Sequence, residues 1–195
     1  WRALGHTVQR VHEAAALPHG ELCFFLGCGQ IVSPERLAHH THNLVVHESA
    51  LPHGRGWSPL TWQVLEGQRQ IPVVLFEATA RVDDGPIYLR TTLSLTGDEL
   101  VHELRAAQVE ATFSLCRRFV AEYPAIVNEA QPQVGLPSRY PRRTPASSQL
   151  DLEKTLGEQL DLLRVCDPER YPAFVERNGQ RFYLTISKEP PCRKR

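Results

Sequence analysis

The sequence predicts an α/β fold with a mostly parallel sheet, and three observations carry that prediction. Apolar strand-like runs alternate with short helical segments through the first fifty residues. One long segment, Asp98 to Glu122, repeats its apolar residues at helical spacing, as a helix lying across a sheet does. The chain has 195 residues, 42% of them hydrophobic and 23% charged, enough for a single domain core.

In order, Trp1 to Gly5 reads as the last turn of a helix closed by Gly5. Thr7 to His12 is spaced for a short strand, and Glu21 to Leu26 is a continuous apolar run ending at Gly27-Cys28-Gly29. Ser33-Pro34 opens a short helix whose solvated end carries His39, His40 and His42, and Asn43 to His47 is the next strand. After the turn-rich loop Leu51 to Gly56, Ser58-Pro59 starts a helix with Leu60, Val64 and Leu65 on its apolar face. Ile71 to Ala78 and Ile87 to Leu95 are strands separated by the loop Arg81 to Pro86, and the long helix follows.

From Gln131 to Gln149, four prolines and Arg139, Arg142 and Arg143 predict an extended arm with exposed backbone. Leu150 to Val165 returns to helical spacing, Arg181 to Lys188 predicts a closing strand, and Glu189 to Arg195 a disordered tail. The organisation expected is a core over 1–130, the arm with a C-terminal helix and strand over 131–188, and the tail 189–195.

Twenty-two basic residues balance twenty-two acidic ones, so no chain-wide field favours nucleic acid or an anionic membrane. No run of eighteen apolar residues and no signal peptide is visible, which makes the cytoplasm the expected compartment. Cys23, Cys28, Cys116, Cys166 and Cys192 include no CxxC pair, and they are expected to be reduced thiols. The His39-His40-Thr41-His42 cluster has no metal-ligand spacing, so no metal is expected.

Ligands of open α/β sheets bind beyond the carboxyl ends of strands, which selects three loops: Gly27 to Gln30, His47 to Arg55 and Arg81 to Gly85. The first holds GxG without a third glycine, and neither GxSxG nor a phosphate-binding P-loop is present. His47 and Asp83 each follow a strand; an imidazole beside a carboxylate suits acid-base work at a carbonyl.

The run from Asn43 through His47, Ser49, Leu51-Pro52 and Arg55 to Pro59, followed by Asp83-Asp84-Gly85-Pro86-Ile87, resembles the formyltransferases that use 10-formyltetrahydrofolate. Tyr140 to Asp151, Leu163-Arg164 and Tyr171-Pro172 are similar to the sugar N-formyltransferase branch, and the stretch Gly56 to Gly67 to enzymes of pseudaminic acid-type amino sugars. The likeness runs from Gly5 to Lys188.

The resemblance implies a Rossmann-like formyltransferase fold whose first strand is missing from this chain, since Gly5 to Val8 matches the family's second strand. It makes His47 the catalytic histidine that polarises the formyl carbonyl, and Asp83 the aspartate that handles the amine proton. The family's asparagine lies two residues before the histidine, where this chain has Val45; Asn43, on the same strand face, and Ser49 are its candidate replacements. Gly29, Gln30, Ile31 and Val32, with the loop leading to Asp83, are implied to hold the folate through backbone groups. Arg55, Arg142 and Arg143 are candidates for substrate phosphates, because guanidinium forks suit them.

The expected reaction is formyl transfer from 10-formyltetrahydrofolate to the amine of a nucleotide-linked amino sugar, without metal, nucleic acid or membrane, the chain pairing as a homodimer. The alternatives are a methionyl-tRNA formyltransferase-like enzyme, and a catalytically silent ligand-binding module on the same fold.

Overall fold

A computed structural model describes residues 1–189. Its centre is a four-stranded sheet of β1 (Gly20–Phe25), β2 (His40–His47), β4 (Gln70–Glu77) and β5 (Ile87–Ser94), in that spatial order. A two-residue strand, β3 (Arg55–Gly56), lies outside it. The helices are α1 (Pro34–Leu37), α2 (Pro59–Leu65), α3 (Val101–Glu122) and α4 (Leu160–Val165).

Period-two alternation gives the sheet two faces. Leu44 of β2, Ile71, Val73 and Leu75 of β4, and Leu89 and Leu93 of β5 meet Leu104, Leu115, Cys116 and Phe119 of α3, with Leu60 and Val64 of α2 in the same core. The other face carries a smaller cluster of Val45, Leu51, Val74, Phe76 and Ile87. The site forms on this thinner side.

The α/β class agrees with the sequence, but the sheet is mixed: β1 and β2 run parallel, while β2 with β4 and β4 with β5 are antiparallel. The loop 78–86 is too short for the crossover that parallel neighbours need. Thr7 to His12 forms no strand, and only the 3₁₀ turn Gly157–Gln159 and α4 form within the helix expected over Leu150 to Val165. The expected closing strand is one half of a hairpin, β7 (Ala173–Arg177) with β8 (Gln180–Leu184). The expected tail falls outside the described residues apart from Glu189.

The histidine cluster is no solvated helix end. His40 and His42 belong to β2, where His42 Nδ1 lies 3.2 Å from a Glu77 carboxylate oxygen, and His39 Nδ1 donates to the Leu17 carbonyl at 3.1 Å. The arm is extended as far as Thr144 but then closes in a 3₁₀ turn, Pro145–Ser148, and its backbone is not free. A short strand, β6 (Arg139–Tyr140), pairs in parallel with β3, and Gln131 bridges to Ile87. Among the described residues no helix is long and apolar enough to cross a membrane.

Candidate active site

His47 is the last residue of β2 and is buried, its ring 6.5 Å from Phe76 at an interplanar angle of 85°. Its Nε2–H donates to the Gly54 carbonyl at 2.8 Å. Two residues on, the Gly56 N–H donates to Asp83 Oδ2 at 2.8 Å. One tight loop therefore holds both candidate catalytic groups by its backbone. Only glycine fits there: a Cβ at Gly54 would stand 2.9 Å from Ser49 Cβ and from the Tyr140 ring, and one at Gly56 2.5 Å from the Tyr140 carbonyl oxygen.

Asp83 itself has a left-handed backbone, φ 56°, which costs a non-glycine residue roughly 1–3 kcal/mol and clusters at functional sites. The arm secures that turn, since Gln133 Nε2 donates to the carbonyls of Asp83 at 3.0 Å and Gly85 at 2.9 Å.

Beneath the histidine lies Glu48, buried at the end of β2. Gln108 of α3 donates to its carboxylate at 2.8 Å, and the Gln63 amide of α2 to its carbonyl. Burial pushes the Glu48 carboxyl up and the Asp83 charge adds to this, against the Gln108 bond and His47. Sequence reasoning passed over Glu48, although its place beside His47 was a signal; Gln108 and Gln133 carried none.

Gly29, Gln30 and Ile31 form an exposed loop after β1, with Val32 half-buried beside them. The backbone groups of Gly29, Ile31 and Val32 enter none of the fold's own hydrogen bonds among the described residues. Free amides and carbonyls of this kind are what a pterin edge requires, so the loop fits the folate expected of it. It borders the site, because a Cβ on Gly29 would lie 4.0 Å from the Trp57 ring.

Four expected site residues are buried or hydrogen-bonded within the fold. Asn43 is buried, and its amide donates to the Leu37 carbonyl at 2.9 Å, bracing α1 against β2 rather than joining His47. Ser49 is 1% exposed and packs under Gly54, its hydroxyl without a partner among the described residues. The Arg55 guanidinium bonds Asp84 and the Gln133 side-chain oxygen, its side chain only 13% exposed, so its charge is already neutralised. It lines a cavity of about 430 Å³ with Pro52, Asp84, Gln133 and Pro137. Arg143 is buried and donates to the Ser147 carbonyl at 3.1 Å, a pin within the arm. Arg142 alone of these arginines is exposed, its Cζ 4.7 Å over the Trp57 ring. Among the described residues no three His, Cys, Asp or Glu side chains converge as metal ligands.

Against known proteins, residues 2–115 match the model of a family described as formyl transferase. The methionyl-tRNA formyltransferase of Coprothermobacter proteolyticus is 28% identical over 109 residues, 56% of this chain, and the chain spans 36% of that relative's length. Among solved structures, a sugar N-formyltransferase from Shewanella sp FDAARGOS_354 superposes with a TM-score of 0.68 at 20% identity, over 88% of this chain and 71% of its own. HypX from Aquifex aeolicus in complex with tetrahydrofolic acid gives 0.63 at 17% identity, over 85% of this chain and 28% of its own. The structures share the fold, and the family model covers the strands and loops that carry His47, the Gly54–Gly56 turn and Asp83: this chain belongs to the formyl transferase family.

Proposed function

We propose that this protein transfers the formyl group of 10-formyltetrahydrofolate to the amine of a nucleotide-linked amino sugar. The observation that carries this reading is the Gly54–Gly56 turn, which fixes His47 and Asp83 beside a loop of free backbone groups.

The unprotonated amine attacks the formyl carbon, a C–N bond forms, and negative charge gathers on the formyl oxygen. Asp83 takes the amine proton, and the bond from carbon to the folate nitrogen then breaks as that nitrogen regains a proton. His47 spends its Nε2–H on Gly54, so toward the reaction it offers Nδ1. That atom donates to the developing oxyanion only from the imidazolium; in the neutral ring it is a base. With Val45 at the family's asparagine position and Asn43 turned toward Leu37, the His47 ring is the side chain left to meet the formyl oxygen. The exposed Arg142 is the arm's candidate for the acceptor's phosphates.

The test is incubation of the protein with 10-formyltetrahydrofolate and a panel of amino-sugar nucleotides, following released tetrahydrofolate and the formylated product. The methionyl-tRNA formyltransferase relative supports a second acceptor, and charged initiator tRNA belongs in the same assay. Turnover with the tRNA alone overturns the sugar reading. No turnover with any acceptor, while folate still binds, leaves the silent module.

A further inference from the structure

Trp57 stands where the folate-side loop and the arm meet. The residue is 41% exposed, its Cζ3 would lie 4.0 Å from a Cβ on Gly29, and no other aromatic ring stacks on it among the described residues. The Trp57 backbone N–H donates to the Tyr140 carbonyl at 3.2 Å. Trp62 of α2 clamps the same stretch of arm: it stacks on Tyr140 at 6.2 Å and 10°, and its Nε1–H donates to the Pro141 carbonyl at 2.9 Å. Arg142 thus leaves a backbone fixed at both preceding residues and lays its guanidinium over the Trp57 face.

The other two candidate arginines are taken up by the fold, Arg55 by Asp84 and Arg143 by the Ser147 carbonyl. Arg142 makes no ion pair among the described residues. A guanidinium stacked on an aromatic face keeps its in-plane N–H edges free for oxygen acceptors. An arginine ordered before binding has also lost most of the rotamer freedom that a ligand would otherwise have to freeze.

We propose that Trp57 is a positioning residue that holds the Arg142 guanidinium in place for the phosphate oxygens of a nucleoside diphosphate-linked acceptor. The class of acceptor rests on the function proposed above; the coupling between the two side chains does not.

Calorimetric titration of the full chain tests it, with pyrophosphate and a set of nucleoside diphosphates (UDP, CDP, GDP and dTDP) as probes. The variants are Trp57→Ala, Trp57→Phe, Arg142→Ala and the double variant, each checked by a thermal melt. Arg142→Ala should weaken the best diphosphate by about tenfold or more. Trp57→Ala should weaken it by about two- to fivefold, the size of an exposed cation–π contact, and Trp57→Phe by less than about twofold. In the Arg142→Ala background Trp57→Ala should add nothing. In turnover, Trp57→Ala should raise the acceptor KM more than it changes kcat.

Each contrary result has its own meaning. Wild-type protein that binds no diphosphate overturns the acceptor class and this inference together. Binding weakened by Arg142→Ala but not by Trp57→Ala, or weakened additively by both, overturns the role of Trp57 and leaves the acceptor class standing.

Discussion

Replacing Gly56 by alanine should damage stability and turnover together, by amounts that follow from the geometry. The residue sits at φ 104°, where an L side chain costs roughly 1–3 kcal/mol. Its Cβ would lie 2.5 Å from the Tyr140 carbonyl oxygen, so β3 and β6 must part by about 1 Å to reach ordinary contact. That strains the Trp57 N–H bond to the same carbonyl, costing about 0.5–1.5 kcal/mol more. The sum is about 1.5–4.5 kcal/mol; for a chain of this length each kcal/mol lowers Tm by roughly 2–4 °C. The Gly56 N–H is also the donor to Asp83, and displacing a catalytic group by about 1 Å costs on the order of a hundredfold in rate. Gly179→Ala is the control, since its φ of 72° carries the conformational cost with no atom within 4 Å of the Cβ. Calorimetric melts and formyl-transfer rates at saturation decide the matter. A Gly56→Ala protein with the Tm and kcat of the wild type, or a Gly179→Ala protein that loses turnover as steeply, would refute the reasoning.

Other perturbations separate the site from its scaffold. His47→Asn and Asp83→Asn should each lose about a hundredfold or more in kcat, His47→Asn with a lowered melt as well because its buried bond to the Gly54 carbonyl goes; near-normal turnover in either removes it from the chemistry. Arg143→Ala should lower stability by about 1–3 kcal/mol, because it strips hydrogen bonds from the buried Ser147 and Ser148 region, and should leave the acceptor KM unchanged. A raised KM with an unchanged melt would put Arg143 back among the ligand contacts. At Asp167, burial raises the carboxyl, but Arg105 and the N–H groups of Glu169 and Arg170 outweigh it and hold it below its ordinary value. The folded state thus favours the ionised form, and this stability is present above the ordinary carboxylate range, about pH 4, and lost as pH falls through the lowered folded value. Melts from about pH 7 down to pH 3 should show Asp167→Asn losing less than the wild type; parallel curves would discount the group.

The strands were legible where an apolar run is continuous: Ile71 to Ala78 is buried on both faces, which demands such a run, and Glu21 to Leu26 is the half-buried edge strand beside β2. Their direction was not, since it depends on what each connecting loop can span rather than on the strand residues. The helix expected over Leu150 to Val165 failed for a local reason. Asp151 accepts the Glu153 N–H at 3.0 Å, Glu158 the Thr155 N–H at 2.9 Å, and the Gln159 side chain folds back onto Asp151. Side chains that hydrogen-bond nearby backbone compete with helix formation, and periodicity is blind to them.

At the candidate site the motif singles out His47 and Asp83, while nothing in the sequence points to the groups that the structure packs around them. Gln133 reaches the Asp83 turn from 50 residues away, and Gln108 reaches Glu48 from 60. The arginines show a further limit, and one that sequence could have removed. Successive side chains of an extended segment point to opposite sides, so Arg142 and Arg143 could not both face one ligand. Once the prolines made the arm extended, one of the pair had to turn inward. Ser147 and Ser148, just ahead in the chain, supply the carbonyl and hydroxyl that take Arg143 at 3.1 and 3.3 Å, which leaves Arg142 to the Trp57 face and the open side of the site.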